Sequence, residues 1–323
     1  MPQIRRRGFK ALALSSAALL AIAGCGPSAD DSEGGNGDEA DTGSIDPDTI
    51  VLGAVPAEEA TDLQGTWQPV MDMLADETGK EVTFELATDY AAVIEGQRNG
   101  QVHLAQYGPF AYYMADQDGV ELSVGGVMIQ EEGEPAGYYA YGITQGDSDI
   151  DSIEDFEGQT LCFVDVNSAS GYMYPQAGLI EAGIEDGDYE EVMAGGHDAS
   201  AISVANGDCD AGFALDSMVD ETLIESGDLE DGDLKVVWES AMIASAPLVV
   251  SDLLEPELHE TIMTALAENV NIPYLVENGY CESEDECEIS DQRVYAYEPV
   301  PDDYFDDLAE VCEVTQAEQC ESF

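Results

Sequence analysis

From residue 50 to residue 269 the chain alternates short apolar runs with longer stretches whose apolar residues recur every three or four positions, and this rhythm limits its fold more tightly than any other feature. The short runs at 50–55, 82–86, 102–106, 122–128, 139–143, 160–164, 190–193, 211–215, 235–238 and 247–250 read as strands. The stretches 64–77, 90–98, 109–115, 171–182, 199–206, 216–226 and 256–269 read as helices, with a shorter one at 152–156. In 64–77, Trp67, Val70, Met71 and Leu74 share one face. Strands that take turns with helices build α/β layers with largely parallel sheets. Sites in such sheets lie beyond the carboxyl ends of strands, and Tyr107, Ser168 and Asp216 each fall just after one. No internal repeat is visible, and the acidic, cysteine-bearing end from about Glu277 reads as an appendage.

The N-terminus is a leader. Arg5, Arg6, Arg7 and Lys10 precede an apolar run over 11–23 that is too short to span a bilayer well. The run ends in Ile22, Ala23, Gly24 and Cys25, a tetrad that resembles a lipobox, in which the cysteine becomes the lipidated N-terminus. Arg6, Arg7, Gly8 and Phe9 partly resemble a twin-arginine export signal. Residues 1–24 are thus expected to be a lipoprotein signal peptide. Residues 25–48, mostly Gly, Ser, Asp, Glu and Asn, are expected to be a disordered acidic tether. The protein is expected on the extracytoplasmic face of the cell membrane, held by lipid on Cys25. Roughly 275 residues remain, enough for one large domain or two lobes.

The charge is extreme: 8 basic against 70 acidic residues. Four of the basic ones leave with the leader, so the mature chain keeps Lys80, Arg98, Lys235 and Arg293, a net of −66. A field of that size strains any compact state in dilute buffer, yet 44% hydrophobic residues in regular runs argue for a core. High salt reconciles the two, because at 1 M the Debye length is only about 3 Å. A halophilic source is expected. With so few cations, a Lys/Arg clamp on an anionic ligand is not expected.

Seven cysteines become six once Cys25 carries lipid, an even count that outside the cell points to disulfides. Cys162 lies on one strand and Cys209 just precedes another, and these two are expected to pair. Pairing among Cys281, Cys287, Cys312 and Cys320 is left open. There is no C-x-x-C and there are only three histidines, so no metal site and no cofactor is expected.

Asn167, Ser168, Ala169, Ser170 and Gly171 follow the apolar run 160–164 and open a helical stretch. Backbone N–H groups at such a junction have no helical acceptor, and the helix dipole adds partial positive charge. Neutral donors there can seat an oxyanion, although Asn and Ser before a helix also serve as plain caps. Similarly, His197 could be a loop histidine that only orders the turn, Asp198 could cap the helix that follows, and Asp165 could only brace its loop.

Several motifs occur in a fixed order. They are 87–95 (Ala87, Thr88, Asp89, Tyr90 onward), 98–105, and Tyr107 with Gly108 and Pro109. Gly137, Tyr138 and Tyr139 follow, then Phe163, Val164 and Asp165 with 168–171, then 194–198 with Ala205, Asn206 and Gly207. Together they resemble the phosphate/phosphite/phosphonate-binding proteins of ABC importers, the PhnD-like family, over about residues 50–270. The resemblance implies a two-lobed, type II periplasmic-binding-protein-like α/β fold with a hinge and an interlobe ligand cleft. Lobe 1 would be 49–143 plus 248–323, and lobe 2 would be 144–247. It implies Tyr90 and Tyr138 as cleft tyrosines, Ser168 and Ser170 as hydroxyls on phosphoryl oxygens, and His197 as the cleft histidine. Ala169 stands where many members have threonine, so a hydroxyl is lost and the N–H kept. Ser217 and Ala246 stand where members that bind aminoalkylphosphonates offer carboxylates, and Asp216, one residue away, is the remaining candidate for that role.

The implied function is a non-catalytic receptor that delivers a small phosphorus oxyanion to a permease and its ATPase. A signalling sensor with the same cleft is the alternative. A hydrolase would need Ser170, His197 and Asp198 or Asp216 as a triad; the side chains of His197 and Asp198 diverge as neighbours, and no G-x-S-x-G is present.

Overall fold

The computed structural model describes residues 44–54, 63–133, 135–290 and 294–320. The leader, Cys25, the tether up to residue 43 and Arg293 lie outside the described residues. Residues 44–48, read as the end of a disordered tether, are instead tied to the domain: the Ile45 N–H donates to the Leu253 carbonyl at 2.7 Å and Asp46 is bound to Lys80. In chain order the elements are β1 (Thr49–Ala54), α1 (Leu63–Thr78), β2 (Glu81–Leu86), α2 (Tyr90–Arg98), β3 (Leu104–Gln106), α3 (Pro109–Gln117) and β4 (Leu122–Ile129). Then come β5 (Gly137–Tyr138), β6 (Ala140–Gln145), β7 (Thr160–Phe163), α4 (Tyr174–Glu181), β8 (Glu190–Met193), α5 (His197–Asn206), β9 (Ala211–Leu215), α6 (Leu223–Ser226) and β10 (Leu234–Glu239). The chain closes with β11 (Ile243–Ala244), β12 (Pro247–Ser251), α7 (Pro256–Asn269), α8 (Ile272–Glu277), β13 (Ala296–Glu298) and α9 (Asp307–Thr315).

The strands form a six-stranded sheet in the order β13-β4-β12-β3-β1-β2 and a five-stranded sheet in the order β10-β6-β9-β7-β8. The chain passes from the first to the second after β4 and returns after β10. The two crossings pair with each other as an antiparallel ribbon, Ile243 against Tyr138 and Ala244 against Gly137. This is the expected two-lobed α/β fold. The sheets are mixed, however, where largely parallel ones were expected. β2, β1 and β3 run parallel, as do β8, β7 and β9, but β12, β4, β13, β6 and β10 enter antiparallel. Alternating elements fix which strands neighbour each other within a βαβ unit; they do not register that a chain changing sheets comes back from the other end. Among the described residues β6 pairs only with β9 and β10, so residues 140–143, read as the end of the first lobe, belong to the second sheet.

Burial follows the pleat. In β3, Leu104 packs into the core under α1 and α7, while Ala105 packs into the core under α2 and α3. Trp67, Val70, Met71 and Leu74 all face the first of these cores, as their spacing predicted. In the second sheet Cys162 joins Ala201 and Val204 of α5, whereas Leu161 and Phe163 join Leu179 and Phe213. A further cluster spans both sheets: Phe110, Met114 and Val127 from the first, Ala169, Met173 and Tyr174 from the second, and Phe305, Leu308 and Val311 from the C-terminal stretch.

That last cluster corrects the reading of an appendage. β13 completes the first sheet against β4, Tyr297 is buried, and α9 packs against α4. Sparse apolar residues in an acidic stretch suffice when each one is inserted between elements. Cys162 and Cys209 pair, their Cα atoms 5.8 Å apart, and the other four close locally as Cys281–Cys287 and Cys312–Cys320. No helix of the described residues is long and apolar enough to cross a membrane.

Candidate functional site

A cavity opens where the carboxyl ends of β3, β7 and β9 face each other, as strand topology places it. Tyr90, Gln106, Tyr107, Gly108, Pro109, Met128 and Ala246 line it from the first sheet; Ser168, Ala169, Ser170, His197 and Leu215 line it from the second, with Tyr138 from the ribbon. It offers about 40 Å³ to the centre of a water-sized sphere. One water needs roughly 10–15 Å³ on that measure. A few waters, or a tetrahedral oxyanion of similar bulk, therefore fit.

The Ser168–Ser170 corner of the cavity is built by β7 running out into a tight loop. Asp165 braces it: its carbonyl accepts from the Ser168 N–H at 2.9 Å and its carboxylate from the Asn167 N–H at 2.8 Å. Ser168 is the N-cap, accepting the Gly171 N–H on its Oγ at 3.0 Å. Its own hydroxyl proton stays available to a ligand, so cap and seat are the same residue. Residue 171 has to be glycine because a Cβ there would lie 2.4 Å from Val164. The helix starts with a π-helical turn, Ala169–Met173, before α4. The N–H groups of Ala169 and Ser170 head this helical run and have no preceding turn to accept them.

His197 opens α5 with its ring buried. Its Nδ1 accepts the Leu215 N–H at 3.0 Å, which leaves the proton on Nε2. Burial pushes its pKa down to about 3. The ring is thus a neutral donor at any ordinary pH. Tyr90 is the first residue of α2, set by Asp89, which accepts the Ala92 N–H at 2.8 Å. Its ring lies so close to Gly108 that a Cβ there would sit 3.1 Å from Cε1. The Tyr138 pKa is held well above its ordinary value, by burial first and the nearby Tyr90 second, with the Ser170 hydroxyl bond opposing. It remains a phenol and a donor.

Asp216 is the exception among the expected residues. Its carboxylate accepts the Ser217 N–H at 2.9 Å and the Tyr139 N–H at 3.2 Å. It ties the end of β9 to the first crossing and is not part of the cavity wall. Burial lifts its pKa to about 6 despite those bonds. Of the two positions read as lacking carboxylates, Ala246 lines the cavity and Ser217 does not. Sequence reasoning missed Gln106, Met128 and Leu215. The signal for Gln106 was a polar residue closing a strand whose three positions are all buried.

Among the described residues, the wall holds no ionised side chain. Among the described residues, Lys80 is bound to Asp46 at 2.6 Å, Arg98 to Glu95 at 3.2 Å and Asp118 at 3.4 Å, and Lys235 to Asp151 at 2.8 Å, all away from the cavity. Hydroxyls, an imidazole N–H and backbone N–H groups make a site for a small oxyanion held by neutral donors. The same geometry disfavours a triad, because a backbone N–H occupies the His197 Nδ1 that an orienting carboxylate would need.

The family described as ABC transporter, phosphonate, periplasmic substrate-binding protein matches residues 52–269. The phosphate-import protein PhnD of Mycolicibacterium smegmatis is 44% identical over 283 residues, 85% of this chain and 88% of its own length. A binding-protein component of an ABC phosphonate transporter from Pseudomonas aeruginosa superposes with a TM-score of 0.70 at 23% identity, over 83% of this chain and 86% of that one. A PhnD protein from Prochlorococcus marinus in complex with methylphosphonate gives 0.67 at 17% identity, over 83% and 98%.

Proposed function

This chain belongs to the family of phosphonate-binding periplasmic substrate-binding proteins of ABC transporters, and on that premise we propose that it captures a small phosphorus oxyanion in the cavity between its sheets and delivers it to the permease. Members of the family are transport receptors and not enzymes. The observation that carries the ligand class is the wall itself: a small cavity whose polar groups are all neutral and mostly donors, at the head of one helix and beside a neutral His197. Tyr90, Tyr138, Ser168, Ser170 and His197, with the N–H of Ala169, make up the binding set. Phosphite and small neutral-tailed phosphonates rank above phosphate. Ala246 supplies no counter-charge to an ammonium, and Asp216 is engaged elsewhere.

The lobes divide at the paired crossings, which act as the hinge. Lipid on Cys25, the leader, the tether and a high-salt habitat complete the proposal from the sequence: a receptor moored on the outer face of the cell membrane. Calorimetry of the mature protein with phosphite, methylphosphonate, phosphate, 2-aminoethylphosphonate and sulfate tests the ligand class. The first two should bind tightest. Preference for sulfate, or binding of none of the five, overturns it.

A further inference from the structure

Resting on the cavity as an oxyanion site, we infer that Gln106 is a further ligand donor and that the C-terminal stretch beyond the family match positions it through Ser290. Gln106 is the last residue of β3, where parallel strands point at the cavity. It is only 6% exposed and it lines the cavity. Its side-chain carbonyl is engaged, because the Ser290 hydroxyl donates to Oε1 at 3.0 Å. Its Nε2 is buried and has no hydrogen-bond partner among the described residues. Buried amide donors are almost always satisfied in folded proteins. A planar amide held by its oxygen has one branch left, and an anion in the adjoining cavity is an acceptor that would meet it. Glutamate at this position would repel an anion, and a lysine would bring the charge that every other part of the wall avoids.

The holder is as specific as the donor. Ser290 is 3% exposed and adopts φ 71°, a left-handed conformation rare for a residue other than glycine. It follows the loop closed by Cys281–Cys287, with Cys287 and Ile289 packed into the core of the first sheet. The family match ends at residue 269. The disulfide-closed stretch therefore reaches back and fixes a cavity residue from beyond the residues that the family model matches.

Calorimetry of the full mature chain with phosphite, methylphosphonate and inorganic phosphate tests both halves. Gln106→Leu should weaken the tightest of these about 10-fold or more, the usual worth of a hydrogen bond to a charged group. Gln106→Glu should weaken it further at pH 7 and recover part of that loss near pH 4, relative to wild type at the same pH, as the new carboxyl takes up its proton. Ser290→Gly relieves the left-handed residue while removing the hydroxyl. It should lower affinity without lowering the melting temperature, and it should add nothing to Gln106→Leu in the double variant. Unchanged affinity in folded Gln106→Leu, with wild type binding normally, overturns the donor and leaves the receptor reading intact. A wild type that binds none of the three ions overturns both. Should Gln106→Leu fail to fold, Ser290→Gly carries the test alone, and wild-type affinity in it removes the inference.

Discussion

Ser168 and Ser170 look alike in the sequence and differ in the structure. Ser170 lines the cavity beside Tyr138, whereas Ser168 lines it and also caps a helix. Ser170→Ala should therefore weaken oxyanion binding by about 1.5–3 kcal/mol and leave stability nearly unchanged. Ser168→Ala should in addition cost about 0.5–2 kcal/mol of stability through the lost cap. The double variant should lose about 2–5 kcal/mol of binding; calorimetry beside thermal melts separates the two effects, and unchanged affinity would remove the seat. The pH response has two opposed parts. His197 is depressed to about 3 from 6.5, so the unfolded chain binds its proton first and stability drops as pH falls through that window. Asp216 is raised to about 6 from 3.8, so the folded chain binds its proton first and stability is regained as pH falls through 6. Asp216→Asn removes only the second part. Wild type should gain on that variant between pH 7 and pH 4.5 in urea unfolding at fixed salt; a constant difference would contradict the raised carboxyl. Finally, Ala246→Asp should shift preference towards 2-aminoethylphosphonate, since a buried ammonium without a counter-charge costs several kcal/mol. A wild type that already binds the amine tightest would refute this.

At the scale of elements, the two crossings are fastened by one side chain. The Tyr304 hydroxyl donates to the Ala136 carbonyl at 2.7 Å and accepts the Ser245 N–H at 2.8 Å, one group from each crossing. Its neighbours Phe305 and Leu308 lie in the cluster that joins both sheets. Tyr304→Phe keeps the ring and removes both bonds. It should raise hydrogen exchange at Ser245 and in the ribbon of β5 and β11, because each crossing loses a bond to the shared hydroxyl. Exchange rates equal to wild type would show that the ribbon pairing and the apolar cluster hold the crossings together without this side chain. The sequence pointed to neither role, since Tyr304 sits in an acidic run with no periodic pattern.

The whole molecule carries the charge. With −62 on the full chain, lowering salt to about 10 mM lengthens the Debye length to about 30 Å and exposes the full self-repulsion. Circular dichroism over a salt titration should show the fold lost or expanded at the low end, and a cooperative fold at 10 mM would rule this out. Much of the architecture was legible without coordinates. Periodicity located nearly every strand and helix from β1 to α7, because burial on one face leaves a pattern of 2 or 3.6 residues. The ordered motifs placed Tyr90, Tyr138, Ser168, Ala169, Ser170 and His197, and the structure brings all of them to one cavity. Tertiary structure alone decided the rest. The direction of β12, β6 and β13, the turning of Asp216 onto backbone N–H groups, the approach of Ser290 to Gln106 and the grip of Tyr304 on both crossings all join residues far apart in the chain. Local patterning records which face a residue buries; it holds no record of which distant partner meets it there.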